Sequence, residues 1–193
     1  MGQLFLWIYR LDYIEALFLL FAGTGAFFFL QQRYGKAPWW KWLMAAGCLV
    51  WLAAVVFMTV AGRESTTREI SLMPFASYLD AIRNGRIERY RSNFMNAVLF
   101  YPPGFLLWEL LPKGWRHRRR ILIIAGIFGL VSLLIEGLQF YGQLGLAETD
   151  DFIHNTLGAV LAAIVCRIRF KGSHHYDTDG TNLPGNSSGS PEA

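Results

Sequence analysis

The chain has 193 residues, of which 53% are hydrophobic, 16% aromatic and only 17% charged, against about 25% charged in ordinary soluble domains. Apolar runs of about twenty residues recur, the length a helix needs to cross a bilayer, which excludes an ordinary soluble enzyme, a disulfide-rich secreted domain and a disordered chain. The net charge of +4 is no nucleic-acid signature, because the basic residues stand between apolar runs, where membrane topology accounts for them.

The pattern predicts an all-α integral membrane bundle of about five transmembrane helices, since a lone strand cannot satisfy its backbone inside lipid. The first span is Tyr13–Leu30, with the apolar stretch Leu4–Tyr9 ahead of it. Asp12 and Glu15 at its start, with no basic region before it, argue against a cleaved signal peptide. The second span is Trp42–Ala61, without charge. The segment Gly62–Asn93 follows, mixing Ile70, Leu72, Phe75, Tyr78, Leu79 and Ile82 with charges of both signs. Ile70–Ile82 has partly helical spacing and reads as an interfacial or re-entrant helix, or as a packed loop. The third span, Phe94–Leu111, contains Pro102 and Pro103, where a lost donor bends the helix; the kink either widens the bundle or is a matter of packing alone. The fourth is Ile121–Tyr141, with Glu136 as its one charge, and the fifth is Asp151–Ile168. After Gly172 the chain is rich in Gly, Ser, Asn, Asp and Pro and reads as a disordered tail. The organisation is therefore two N-terminal helices (1–61), an outer-side segment (62–93), a three-helix core (94–171) and a tail (172–193). Cys48 and Cys166 lie in apolar runs and read as small membrane-packed side chains.

Lysine and arginine counts set the expected orientation. Eleven fall on the side that holds the first–second and third–fourth connections and the end of the fifth span, against seven on the other. The run RHRRR at Arg116–Arg120 abuts the fourth span directly. The amino terminus is expected outside and the carboxyl terminus in the cytoplasm, with Trp39, Trp40, Trp42 and Trp115 as interfacial anchors of a multi-pass cell-membrane protein.

Polar residues recur where lipid should exclude them. Asn93 and Asn96 open the third span on one face. Ser132, Glu136 and Gln139 share a face of the fourth, and Asp151, Asn155 and Gly158 a face of the fifth, which opens with Asp150, Asp151 and His154. Because the spans alternate, all three sets fall at one level. Glu136 lies about 7.5 Å below the outer end of its span at 1.5 Å per residue. An ionisable residue in a span costs about 2.5–3.5 kcal/mol on insertion scales, so it is expected to face the bundle interior or water. Asn93, Asn96, Glu136, Gln139, Asp150, Asp151 and Asn155 would then line one cleft. The alternative is polar glue between helices, at about 0.6 kcal/mol per bond. Asp150 also fits the N-cap of the fifth span, and Asp151 a first-turn acid favoured by the helix dipole.

These stretches resemble the VanZ family of small bacterial membrane proteins: SLMPF at Ser71–Phe75, NFMNAVLFYPPGFLL at Asn93–Leu107, SLLIEGLQF at Ser132–Phe140 and AETDDFIHNTLGA at Ala147–Ala159. The resemblance covers about Ile70 to Ala163 and rests on the combination. It implies a multi-span helical domain and a link to resistance against the glycopeptide teicoplanin, with no settled biochemical activity. The matching positions are Asn93, Asn96, Pro103, Gly104, Glu136, Gln139, Asp150, Asp151, Asn155 and Gly158. Family members often carry an arginine between the Gln and the paired acids, whereas Tyr141–Thr149 here has no basic residue; Arg68 or an arginine of Arg83–Arg91 could supply that charge.

Two functions follow. One is a binding or shielding protein whose outer cleft takes a membrane lipid head group, a cell-envelope polymer or a lipoglycopeptide. The other is an enzyme that modifies an envelope lipid or glycan, with Glu136 and Asp150 or Asp151 as acid and base. In a variant of the second, the three acids hold magnesium or calcium, which suit oxygen ligands better than zinc does. A transporter is weaker, as five spans show no internal repeat. Neither a GxSxG nor an HExxH motif is present, which favours binding, and the sequence names no cofactor.

Overall fold

Lipid leaves a backbone no partner but itself, and the chain answers with helices. A computed structural model describes residues 13–60, 69–85, 88–144 and 146–173. In chain order the elements are α1 (Tyr13–Tyr34), α2 (Trp40–Val60), β1 (Glu69–Ser71), α3 (Ala76–Asn84), α4 (Glu88–Leu110), α5 (His117–Gly142), β2 (Leu146–Glu148) and α6 (Thr149–Ser173). The expectations for the stretch before Tyr13 and for the tail beyond Ser173 fall outside the described residues, as does the first part of the 62–93 segment.

Among the described residues four helices, α1, α2, α5 and α6, are long and apolar enough to cross a membrane. The predicted third span forms as α4 but does not join that set, so the count of five drops to four by length and composition. The reason is position. α4 carries Asn93, Asn96 and Glu109, and α1, α2, α3, α5 and α6 all pack against it. A helix enclosed by others meets side chains instead of acyl chains and can carry polar groups. Pro102 and Pro103 sit inside α4 without ending it.

The tightest seam runs between α4 and α6. At Gly158 an added Cβ would stand 2.1 Å from the Ala97 carbonyl oxygen, and at Gly104 one would stand 2.6 Å from that of Ala159 and 2.8 Å from the Ala162 methyl. Only glycine admits so close an approach of backbones. Phe100, Phe105, Trp108, Ile124, Phe128, Ala159, Ala162 and Cys166 form a continuous apolar core around this seam. Phe100 meets Phe128 edge-on at 6.1 Å. α1 is peripheral, with Ala16 as its one buried residue, and rests on α4 through Tyr13–Phe94 and Phe27–Phe105 ring contacts at 5.1 and 5.0 Å.

The segment between α2 and α4 resolves both sequence alternatives in part. It contains a helix, α3, and a three-residue strand the sequence did not suggest. β1 pairs in parallel with β2, Ile70 opposite Ala147. On α3, Ser77 and Ala81 turn inward, while Leu79 and Ile82, with Phe75 just ahead of the helix, remain exposed. An exposed apolar stripe on a short helix at the bundle end is the pattern of a helix lying in the membrane interface. Gly85 ends α3 at φ 68°, a left-handed position suited to glycine.

The α4–α6 seam makes a direct prediction. Gly158→Ala should lower the stability measured by thermal unfolding in detergent by about 1–3 kcal/mol, the usual cost of overpacking. Gly137→Ala on α5, where a Cβ meets nothing within 4 Å, should leave it unchanged or slightly higher.

Candidate functional site

α4 and α6 begin at the same end of the bundle, and α5 finishes there. That end gathers the polar residues singled out in the sequence. Asn93, Glu136, Gln139, Asp150, Asp151 and Asn155 are buried, with Ser77, Ser132 and His154 beside them; Asn96 is half-buried. They divide into three groups by their hydrogen bonds.

The first group is built on Asp150. Its carboxylate accepts the Phe75 and Ser77 N–H groups, the latter at 2.9 Å, and also the Ser77 hydroxyl. Asn93 Nδ2 donates to the same Ser77 oxygen at 2.8 Å. Asp150 therefore caps a helix, as one sequence reading allowed, but the helix is α3 and not its own. Within α6 it is a first-turn residue behind Thr149. Free N–H groups at a helix start attract a carboxylate both as hydrogen-bond donors and through the helix dipole. Phe75 stands at φ 62°, a left-handed conformation that costs a bulky residue about 1–3 kcal/mol, and the Asp150 carboxylate holds its N–H there.

The second group is Asp151 with Asn96, whose Nδ2 donates to Oδ1 at 2.7 Å. The paired acids thus face different neighbours, since successive helix positions differ by about 100°. The third group lies on the α5–α6 face. Glu136 Oε2 accepts the Glu148 backbone N–H of β2 at 3.0 Å, so the small sheet closes over the acid. Asn155 Nδ2 donates to Ser132 Oγ at 2.9 Å. The Asn155 side-chain oxygen is buried with no hydrogen-bond partner among the described residues.

Sequence reasoning gave His154, Tyr78 and Ser77 no role here. His154 Nδ1 lies 2.6 Å from the Asp150 carbonyl, which can only accept, so that nitrogen carries the proton. In the neutral ring Nε2 then accepts the Tyr78 hydroxyl at 2.7 Å. Ser77, Tyr78 and His154 together bind α3 to α6. Glu109 was missed as well. It is buried at the opposite end of α4, where its Oε2 accepts Trp40 Nε1 at 3.2 Å. Its signal was legible, as an acid inside a predicted span. Arg120 entered the sequence reading only as topological charge, yet it is buried, donates to the Trp108 carbonyl and lies 3.8 Å over the Trp108 ring.

Among the described residues no three His, Cys, Asp or Glu side chains gather in a way that could hold an ion, and both Asp150 oxygens are engaged by α3. Of the arginines considered as a counter-charge, Arg68 and Arg86 lie outside the described residues, and Arg83 is exposed.

The capping geometry separates the paired acids experimentally. Asp150→Asn should loosen α3, at a cost of about 1.5–3 kcal/mol for hydrogen bonds to a charged group. Amide exchange at Phe75–Ser77 should rise sharply in that variant and stay near the parent rate in Asp151→Asn.

No curated protein and no solved structure matches the chain. The family model described as VanZ/LLP1 matches residues 40–170, taking in α2 as well as the stretch on which the sequence resemblance rests, and leaving α1 outside. With four helices fit to span a bilayer and a match over more than half its length, the chain is a multi-pass membrane protein and belongs to the VanZ family.

Proposed function

We propose that the polar end of the bundle faces outward and binds a hydrogen-bonding group of the cell envelope, a lipid head group, a polymer or a teicoplanin-type lipoglycopeptide, and so shields the cell. The observation that carries this reading is the α5–α6 face. Glu136 and Gln139 on α5 and Asp151 and Asn155 on α6 are buried at one level, and the Asn155 oxygen has no partner among the described residues. Buried polar groups are ordinarily satisfied within the protein, so a buried acceptor left without a partner among the described residues suits a ligand that donates, such as a sugar hydroxyl or an amine. The exposed apolar stripe of α3 supports putting this end at the lipid interface, where amphiphilic envelope molecules reside.

The enzyme reading narrows on the same geometry. Asp150 is committed to capping α3, which leaves Glu136 and Asp151 as the pair for acid and base. The alternative for both is structural, as clamps between helices.

Variants that keep shape and remove charge separate these roles. Glu136→Gln and Asp151→Asn should each abolish teicoplanin resistance while membrane abundance stays at the parent level. Neutralising a buried acid relieves desolvation, whereas breaking a structural pair costs about 3–5 kcal/mol. Resistance retained in both variants rejects the site, and resistance lost in step with abundance makes the acids structural.

The orientation is part of the proposal, supported by the excess of Lys and Arg at the opposite end. A cysteine at Ser188 should resist impermeant thiol reagents in intact cells and react after lysis. Cys48 and Cys166 are buried free thiols, so their background labelling should be low. Ready labelling at Ser188 in intact cells reverses the orientation.

A further inference from the structure

The end opposite the polar cluster has its own chemistry. The connection between α4 and α5 and the first turn of α5 present Lys113, Arg116, Arg118 and Arg119, all exposed. Exposed cations of the α1–α2 connection and of the last turns of α6 join them, because α1, α4 and α6 finish at this end while α2 and α5 start there. Among the described residues no exposed acid stands at this end. Glu109, the acid nearest to it on α4, is buried and accepts from Trp40. Unbalanced positive charge of this density repels itself and calls for an anionic counterpart from outside the chain.

The geometry gives that counterpart a defined place. The Arg119 guanidinium lies 4.1 Å over the ring of Trp115, which is itself half-buried. Stacking on an aromatic ring fixes the plane of the guanidinium and leaves its in-plane N–H groups facing outward, the arrangement that grips a phosphate with two parallel bonds. Arg120, one residue on, points inward and braces the turn against Trp108. Tryptophans at the ends of spanning helices sit at the level of lipid head groups, which puts Arg119 at the height of their phosphates.

We infer that the α4–α5 turn is a docking surface for acidic phospholipid, with Arg119 on its Trp115 platform taking the head-group phosphate and Lys113, Arg116 and Arg118 supplying the surrounding field. An acidic lipid fits better than a zwitterionic one because its charge is not cancelled by an adjacent ammonium group, and clusters of basic residues beside a spanning helix recognise lipids of this kind.

The test uses the purified full chain in neutral detergent, with phosphatidylglycerol, phosphatidylcholine or inorganic phosphate added, and reads retained lipid by native mass spectrometry and melting temperature in parallel. The expected result is several-fold greater retention of phosphatidylglycerol than of phosphatidylcholine, with no change in melting from inorganic phosphate. In the triple variant R116Q/R118Q/R119Q the preference should fall to near unity, with melting in phosphatidylcholine unchanged. Arg119→Lys keeps the charge, loses the fork and should lower the preference part of the way. Equal retention of the two lipids by the parent overturns the proposal, as does an undiminished preference in the triple variant. Stabilisation by inorganic phosphate equal to that by phosphatidylglycerol overturns it in favour of a soluble anion. Should the triple variant fail to accumulate, the parent at high salt decides, because exposed charges are then screened: a preference that collapses supports the docking surface, and one that persists overturns it.

Discussion

The approach of α4 to α6 is the constraint on which the rest depends. In lipid there is little hydrophobic drive to bring two helices together, so close packing of small residues and polar contacts must do it. Gly158 against the Ala97 backbone and Gly104 against Ala159 and Ala162 set the spacing. Both helices run in the same direction from the same end, so their polar openings arrive side by side, and Asn96 meets Asp151. A larger residue at either glycine would move α6 away from α4 and also withdraw Asp150 from α3 and Asn155 from Ser132. The small residues in the middle of the bundle thus control the geometry of the polar residues at its end.

What the sequence shows plainly is what lipid imposes directly. The lipid-exposed helices α1, α2, α5 and α6 had to be apolar along their length, and their runs could be read as such. α4 is screened by its neighbours, so its composition relaxed, and its spanning character is the least legible from apolarity. The level of the polar residues was readable because alternation of spans and a fixed rise per residue are enough to place them. Their partners were not. Ser77 and Asp150 are 73 positions apart, and nothing periodic in either neighbourhood announces that one caps the helix of the other. The three-residue strands are too short for any alternation to register. Glu109 and Arg120 illustrate a different loss, in which buried polar residues at the basic end are masked by the exposed charges around them.

The adjacent acids Asp150 and Asp151 show how one turn of helix can serve two purposes. Rotation of about 100° between them sends one carboxylate to α3 and the other toward α4. The first holds Phe75 in its left-handed conformation and, with Tyr78 and His154, ties α3 to the bundle. The second stays on the same face as Asn155, across from Ser132 and Glu136. Asp150 therefore couples the start of α3 to the start of α6, beside the acid next to it in the chain.

Between the polar end and the basic end the interior is apolar. Phe100, Phe128, Ile124 and Trp108 are buried to near-zero exposure and fill the space with rings and branched carbons. A solute crossing from one end to the other would have to part this layer, and packed cores shift between discrete arrangements instead of deforming gradually. The layer therefore separates the two ends of the bundle. Buried acids and amides gather at one end and exposed cations at the other, and the apolar seam between them holds the helices that carry both.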